Sequence, residues 1–327
     1  MEIVGKSAGA AVPVIVKARG EKFTRIESVS DPACGASEIS DSLCSGFFDP
    51  QVNGYAGVDF NRESVDAEGL HGAALALAAS GVTRFLPTFT TASLDRTLRQ
   101  LKTFCHARCS DPLLRRMTPG FHLEGPYISP HAGFRGAHPR RFIRRPRIEE
   151  LKRFQDAAEG LVRCVTLAPE VEGAIPFIEK AVQSGIVIGI GHTNASDEAL
   201  EDAFRAGARL SCHLGNGVKN LLPRHRNPVQ KQLSMEGLMA SIIPDGIHLP
   251  DYVVKNFMRA KGTDKTILTT DAMPGAGAPP GIYTIGRLRI EVGEDGIARL
   301  PGTPYLAGST LTMDKAVRNV IRFAGIT

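Results

Sequence analysis

The feature that most constrains this chain is an alternation repeated eight times. Short apolar runs lie at residues 47–53, 82–88, 118–123, 162–170, 186–192, 208–214, 239–245 and 265–271. Most are separated by stretches with helical spacing, near 68–80, 93–109, 148–158, 174–184, 196–206 and 250–259. Eight strand–helix repeats in roughly 225 residues predict a (β/α)8 barrel. An open doubly wound sheet would more often have fewer strands and a Gly-x-Gly-x-x-Gly turn after the first, and no strand end here reads that way.

The 327 residues leave room for more than a barrel. Residues 1–45 read as a small β unit, with strands at 12–17 and 23–29 and a Gly/Ser/Asp-rich interval. The barrel is expected over 46–280. Residues 281–305 read as a hairpin, Tyr283–Ile290 against Ile297–Leu300, turning at Glu294-Asp295-Gly296. Residues 306–327 hold a last helix, near 311–323, expected to be the terminal barrel helix.

Lys and Arg exceed Asp and Glu by 39 − 34 = 5. Much of that excess sits in one run, Arg140-Arg141-Phe142-Ile143-Arg144-Arg145-Pro146-Arg147, which reads as a solvated face. With no Trp and five Tyr, the chain lacks the basic stripe and interleaved aromatics of a nucleic-acid binder. No apolar run approaches the ~18 residues that span a membrane, and the N-terminus has no signal-type apolar core. The six cysteines form no Cys-x-x-Cys pair and read as the reduced thiols of a cytoplasmic protein.

The strand tips carry the chemistry. Strand one ends in Gln51 and Asn53, strand three in Glu124, and strand five in His192. Strand six ends in His213, strand seven in Asp245 with His248 just after, and strand eight in Asp271. Glu124 alone would read as a surface strand cap. In a closed barrel, however, these tips converge on one mouth. One carboxylate and two imidazoles complete a protein ligand set for a divalent ion such as zinc, with a fourth position left for water. Asp271 would stand beside that water as general base and later as acid to the leaving group. The expected reaction is hydrolysis of an amide, ester or cyclic amide.

The chain resembles the N-acetylglucosamine-6-phosphate deacetylase family of amidohydrolases. The matching segments are Gly46–Gly57, His122-Leu123-Glu124-Gly125-Pro126, Gly136-Ala137-His138-Pro139, Leu167-Ala168-Pro169-Glu170 and Gly191-His192-Thr193-Asn194-Ala195-Ser196. They continue with Asp245-Gly246-Ile247-His248, Thr270-Asp271-Ala272-Met273 and Leu306–Asp314, in the family's order. The resemblance implies a small β-sandwich built from both chain ends beside the barrel. It implies a metal on Glu124, His192 and His213, with Asp271 as the acid/base. Amidohydrolases often carry His-x-His on strand one for a second metal. Gln51-Val52-Asn53 replaces it here, a possible vestigial second-metal position, so one divalent ion is expected, with zinc first.

By the same resemblance His138 and His248 line the substrate pocket, although each read alone could be a surface-loop histidine. Asn216, with Gly217, matches the position that helps hold a sugar phosphate. Arg224 or Arg226 would bind that phosphate, often across a dimer interface, so a homodimer is expected. Two departures stand out. The family's Leu-(Phe/Tyr)-Asn-Ala-Met after the strand-six His is Leu214-Gly215-Asn216-Gly217-Val218 here. The chain also stops at Thr327, where the family usually continues, so a truncated small domain is expected. The expected substrate is an N-acetylated amino sugar, first N-acetylglucosamine 6-phosphate, giving glucosamine 6-phosphate and acetate. The alternatives are another N-acyl or cyclic amide substrate, or a non-catalytic sugar-binding relative.

Overall fold

The computed structural model describes residues 2–7, 13–19, 22–28, 42–303 and 305–326. The chain divides into two compact units, residues 1–46 and 47–326.

In the first unit, β1 (Glu2–Ser7), β2 (Pro13–Arg19), β3 (Lys22–Ser28) and β4 (Ser42–Leu43) form a sheet in the order β3-β2-β1-β4. The β1–β2 and β2–β3 pairs are antiparallel, and β4 joins β1 in parallel. The expected strands at 12–17 and 23–29 correspond to β2 and β3, while Val12, Val29 and Cys34 lie outside the described residues.

The second unit is the eightfold alternation. Its parallel strands are β5 (Phe47–Val52), β8 (Val82–Thr90), β9 (Phe121–Glu124), β10 (Val162–Leu167), β11 (Val187–Ile190), β12 (Leu210–Ser211), β13 (Met239–Ile242) and β14 (Thr266–Leu268). They neighbour one another in chain order. A two-residue ribbon, β6 (Gly54–Tyr55) with β7 (Val58–Asp59), follows β5. The helices are α1 (Ala67–Ala79), α2 (Leu94–Ser110), α3 (Pro112–Met117), α4 (Ile148–Ala157), α5 (Ala174–Gln183), α6 (Asp197–Arg205), α7 (Pro228–Ser234), α8 (Asp251–Lys261) and α9 (Met313–Ala324). Every barrel strand is thus followed by a helix, with α3 as an extra turn after α2. The last helix, α9, packs on α8 and β14.

The barrel closes without a regular ladder between its first and last strands. A single parallel bridge joins Val52 to Ala272, and the Asn53 amide donates to the Ala272 carbonyl at 2.8 Å. Asp49, wholly buried, completes the seam from β5. Its carboxylate accepts from the Thr269 hydroxyl at 2.9 Å and the Thr270 hydroxyl at 2.5 Å. Around the barrel, Phe60, Phe85, Phe89, Phe104 and Phe121 pack with ring centroids 5.6–6.1 Å apart. They fill the layer between the early strands and α2, with offset and edge-on geometry that suits aromatic quadrupoles.

One expectation is corrected. Tyr283–Ile290 is not one strand. It splits into β15 (Gly281–Ile285) and β16 (Leu288–Val292), antiparallel and hinged at Gly286-Arg287, with β17 (Ala298–Arg299) beside β16. Gly286 has φ +63°, so the missing side chain permits a tight turn there, and the Gly286 amide is fixed on buried Asp59 at 2.7 Å. Helix α7, outside the expected helical stretches, begins at Pro228, just after the non-helical residues 222–227. Asn227 caps it by accepting from the Gln230 amide at 3.0 Å, and Pro228 occupies the first turn.

The carbonyls at the end of α7 meet a buried cation. Lys261 Nζ donates to the carbonyls of Gln232 (2.8 Å), Met235 (2.7 Å) and Leu238 (2.8 Å). Replacing it by an apolar chain strands three acceptors that water reaches poorly. Lys261→Met should lower unfolding stability by about 3 kcal/mol in urea titration. A loss below about 0.5 kcal/mol would show that the three carbonyls are satisfied some other way.

Candidate metal centre and active site

Glu124 is the last residue of β9 and is 3% exposed, so it is no surface cap. His122, two residues earlier on the same strand face, lies below it in the barrel. The His122 Nε2 meets the Thr166 hydroxyl at 2.8 Å, and Nδ1 meets the Pro50 carbonyl at 3.1 Å. Burial pushes its pKa down to about 4, so it is a neutral pillar under the site. Sequence reasoning overlooked this role, although the i, i+2 spacing from Glu124 was visible.

His192 and His213 follow the ends of β11 and β12 and, with Asp271, have positive φ: 51°, 31° and 49°. The described residues include only two other non-glycine positions of this kind, Ala56 and Glu159. Left-handed backbone is costly for such side chains and gathers at functional sites. The ligand-type atoms of Glu124, His192 and His213 all lie within 4.8 Å of one another, and all three residues are buried. The Glu124 Oε1 is 2.8 Å from His213 Nε2 and 3.2 Å from His192 Nε2.

These positions fit a small cation. Tetrahedral zinc with bonds of ~2.0–2.1 Å sets its ligand atoms about 3.3 Å apart. His192 Nδ1 faces the Phe134 carbonyl at 3.0 Å. A carbonyl only accepts, so Nδ1 carries a proton, and in the neutral ring this leaves Nε2 as the nitrogen that could bind a metal. Burial alone would raise the Glu124 pKa, but its histidine hydrogen bonds overcome this and hold it well below the ordinary range.

Asp271 stands across the mouth. Its Oδ1 accepts from Gln51 Nε2 at 2.9 Å and Asn53 Nδ2 at 2.7 Å. Burial, followed by the charge of Glu124, raises its pKa to about 6. Gln51 Nε2 also donates to Glu124 Oε1 at 2.9 Å. Gln51 therefore ties the two carboxylates together as a donor, and Asn53 adds a bond to Asp271 alone.

The structure brings His138 into the same cluster. Its ring is 4.5 Å from that of His192, and Nε2 is 3.7 Å from Glu124 Oε2. His138 Nδ1 faces the Thr91 hydroxyl at 2.8 Å and accepts from the Thr91 amide at 3.4 Å, which places the ring proton on Nε2. Burial, then His192, pushes its pKa down to about 3 and keeps it neutral. Gly217 lies against His192, since a Cβ there would come 2.7 Å from the ring Nδ1. The Asn216 amide donates to the His213 carbonyl at 2.9 Å, and its side-chain Nδ2 is buried without a partner. His248 Nδ1 is held by Asp245 Oδ2 at 2.6 Å. Arg224 and Arg226 are exposed, and Arg226 reaches Asp197 on α6 at 3.6 Å. Neither arginine joins the cluster.

No family model matches the chain. Curated relatives do. An N-acetylglucosamine-6-phosphate deacetylase from Lysinibacillus sphaericus is 35% identical over 292 residues, covering 87% of this chain and 72% of the relative. An N-acetylgalactosamine-6-phosphate deacetylase from Escherichia coli O157:H7 is 33% identical over 296 residues, 90% of this chain and 76% of the relative. Among solved structures, a mutant N-acetyl-D-glucosamine-6-phosphate deacetylase from Mycobacterium smegmatis in complex with N-acetyl-D-glucosamine-6-phosphate aligns with a TM-score of 0.87 at 28% identity. The Thermotoga maritima N-acetylglucosamine-6-phosphate deacetylase aligns with a TM-score of 0.86 at 28% identity. Each alignment covers 100% of this chain and 85% of the other.

Proposed function

We infer the activity from one premise: the chain belongs to the N-acetylglucosamine-6-phosphate deacetylase family. The reaction is hydrolysis of the acetamide of an N-acetylated amino sugar 6-phosphate, releasing acetate and the free amine. The observation that carries a metal-dependent reading is the buried convergence of Glu124, His192 and His213, whose ligand-type atoms all lie within 4.8 Å of one another.

Glu124, His192 and His213 would hold one divalent ion, which we take to be zinc. Such an ion supplies Lewis acidity and lowers the pKa of water from ~15.7 toward ~7. Asp271 takes the proton of the attacking water as the carbonyl carbon becomes tetrahedral. It then delivers that proton to the departing nitrogen, so water adds across the C–N bond and the amine leaves neutral. His138, with its proton on Nε2, is placed to donate to the acetamide oxygen as negative charge develops. His248, Asn216 and Gly217 are proposed to contact the sugar and its phosphate. Arg224 or Arg226 would reach the phosphate across the interface of a homodimer. With this reading we also propose that residues 46–280 form the hydrolase barrel, with 1–45 and 281–305 contributing the small β parts and 306–327 the terminal helix. Cytoplasmic localisation belongs to the same proposal. Among the described residues no helix is long and apolar enough to cross a membrane.

The test compares acetate release from N-acetylglucosamine 6-phosphate, its galacto epimer and unphosphorylated N-acetylglucosamine, with zinc supplied. The gluco 6-phosphate should give the highest kcat/KM. Preference for the galacto epimer would reassign the sugar. Release from none of the three would remove the deacetylase reading.

A further inference from the structure

Gln51 occupies an unusual position, because one amide group serves two carboxylates, buried Glu124 and half-buried Asp271. Its two N–H bonds go to Glu124 Oε1 and Asp271 Oδ1, each at 2.9 Å. Turned by a half rotation, the amide would present oxygen to both carboxylates, and three acceptors would face one another with no donor between them. Something must hold the amide the right way round, and the structure contains a donor on its far side. Cys212 Sγ lies 3.1 Å from Gln51 Oε1.

The thiol is itself held firmly. Cys212 is 3% exposed, and its amide donates to the Ile190 carbonyl at 2.8 Å. Gly191 on the adjacent strand leaves the space it needs, since a Cβ there would come 2.9 Å from Cys212 Cβ and 2.8 Å from Thr166 Cγ2. The residue before His213 thus connects, through one amide, to the acid/base residue and to a metal-binding carboxylate.

We infer that Cys212 is a positioning residue: its S–H donates to Gln51 Oε1 and fixes the Gln51 amide so that both N–H bonds hold Glu124 and Asp271 in place. This rests on the proposed roles of those two carboxylates. It assigns to the thiol a part in the reaction without contact with substrate or ion. Asn53 does not substitute for Gln51, because its Nδ2 bonds Asp271 and not Glu124.

The test uses Cys212→Ala, which has no donor, and Cys212→Ser, which keeps one. Zinc affinity is measured by competition with a chromophoric chelator, alongside kcat and KM for the sugar phosphate. Outer partners of metal ligands typically alter affinity or activity by about 10–100-fold. Cys212→Ala should weaken zinc about 10-fold and lower kcat by at least about 10-fold with KM within about twofold, whereas Cys212→Ser should stay within about threefold of the parent. The same Cys212→Ala change made in a Gln51→Ala background should have no further effect on zinc affinity. Equal losses in the Ala and Ser variants, or an equal loss with and without Gln51, would overturn the inference and leave only packing. If the parent releases no acetate, the deacetylase reading fails, while the zinc affinities still decide the role of Cys212.

Discussion

Asp271→Asn should reduce acetate release by about 10³-fold or more while the protein keeps its metal. The local geometry explains why the loss should be confined to chemistry. Both strand-one amides donate to one oxygen, Oδ1, at 2.9 Å and 2.7 Å. A carboxamide can turn its oxygen toward those two donors and keep the same contacts. Its nitrogen then occupies the place of Oδ2, where it cannot take a proton from water. Substrate binding should change little, since the substitution keeps the size and the two hydrogen bonds of the side chain. Steady-state kinetics with metal analysis of the same preparation measures both halves of the expectation. Turnover within tenfold of the parent would remove Asp271 from the proton-transfer role. Loss of metal together with turnover would instead make it a ligand.

Glu124→Gln should empty the metal site. In the parent, one oxygen of Glu124 gathers His192, His213 and Gln51 around it. The substitution removes the only negative charge in the proposed three-residue ligand set and leaves a neutral amide, a poor ligand beside imidazole. Because even outer partners of a metal ligand are worth about 10–100-fold in affinity, a ligand itself should cost at least about 100-fold. Two measurements check this. Purified variant should carry little zinc by elemental analysis. Added zinc should also stop raising the melting temperature, because the parent gains RT ln(1 + [L]/Kd), about 2.7 kcal/mol at a hundredfold excess over Kd. A variant that retains stoichiometric zinc would mean that the ion sits elsewhere.

The barrel was legible because its signal is redundant. Eight apolar runs alternate with helical spacing, and a miss at one element does not disturb the count. Helix α7 was obscured because its seven residues are too few for a clear helical periodicity, although Asn227-Pro228 is a start signal. The β15–β16 turn was missed because Gly286-Arg287 lacks the Asp-Gly signature of Glu294-Asp295-Gly296, and the turn depends on a distant carboxylate, Asp59. At the site, residue type and strand position were enough to single out Glu124, His192, His213 and Asp271. The parts that depend on three-dimensional pairing were not readable. Gln51 and Asn53 looked like remnants of a second metal position, and only their distances make them donors to two carboxylates. Cys212 carried no local signal at all, because a thiol beside a histidine gives no indication of which amide it faces.

The left-handed backbone at His192, His213 and Asp271 sets stability and activity against each other. Strain of this type costs on the order of 1–3 kcal/mol per residue. Glycine would relieve it at each of the three positions, and each relief would delete a side chain to which the proposed hydrolysis assigns a role. A laboratory selection for heat resistance alone should therefore drift toward inactive, better-folded variants at these points. A selection that also demands acetate release should hold them fixed and find its improvements elsewhere in the chain.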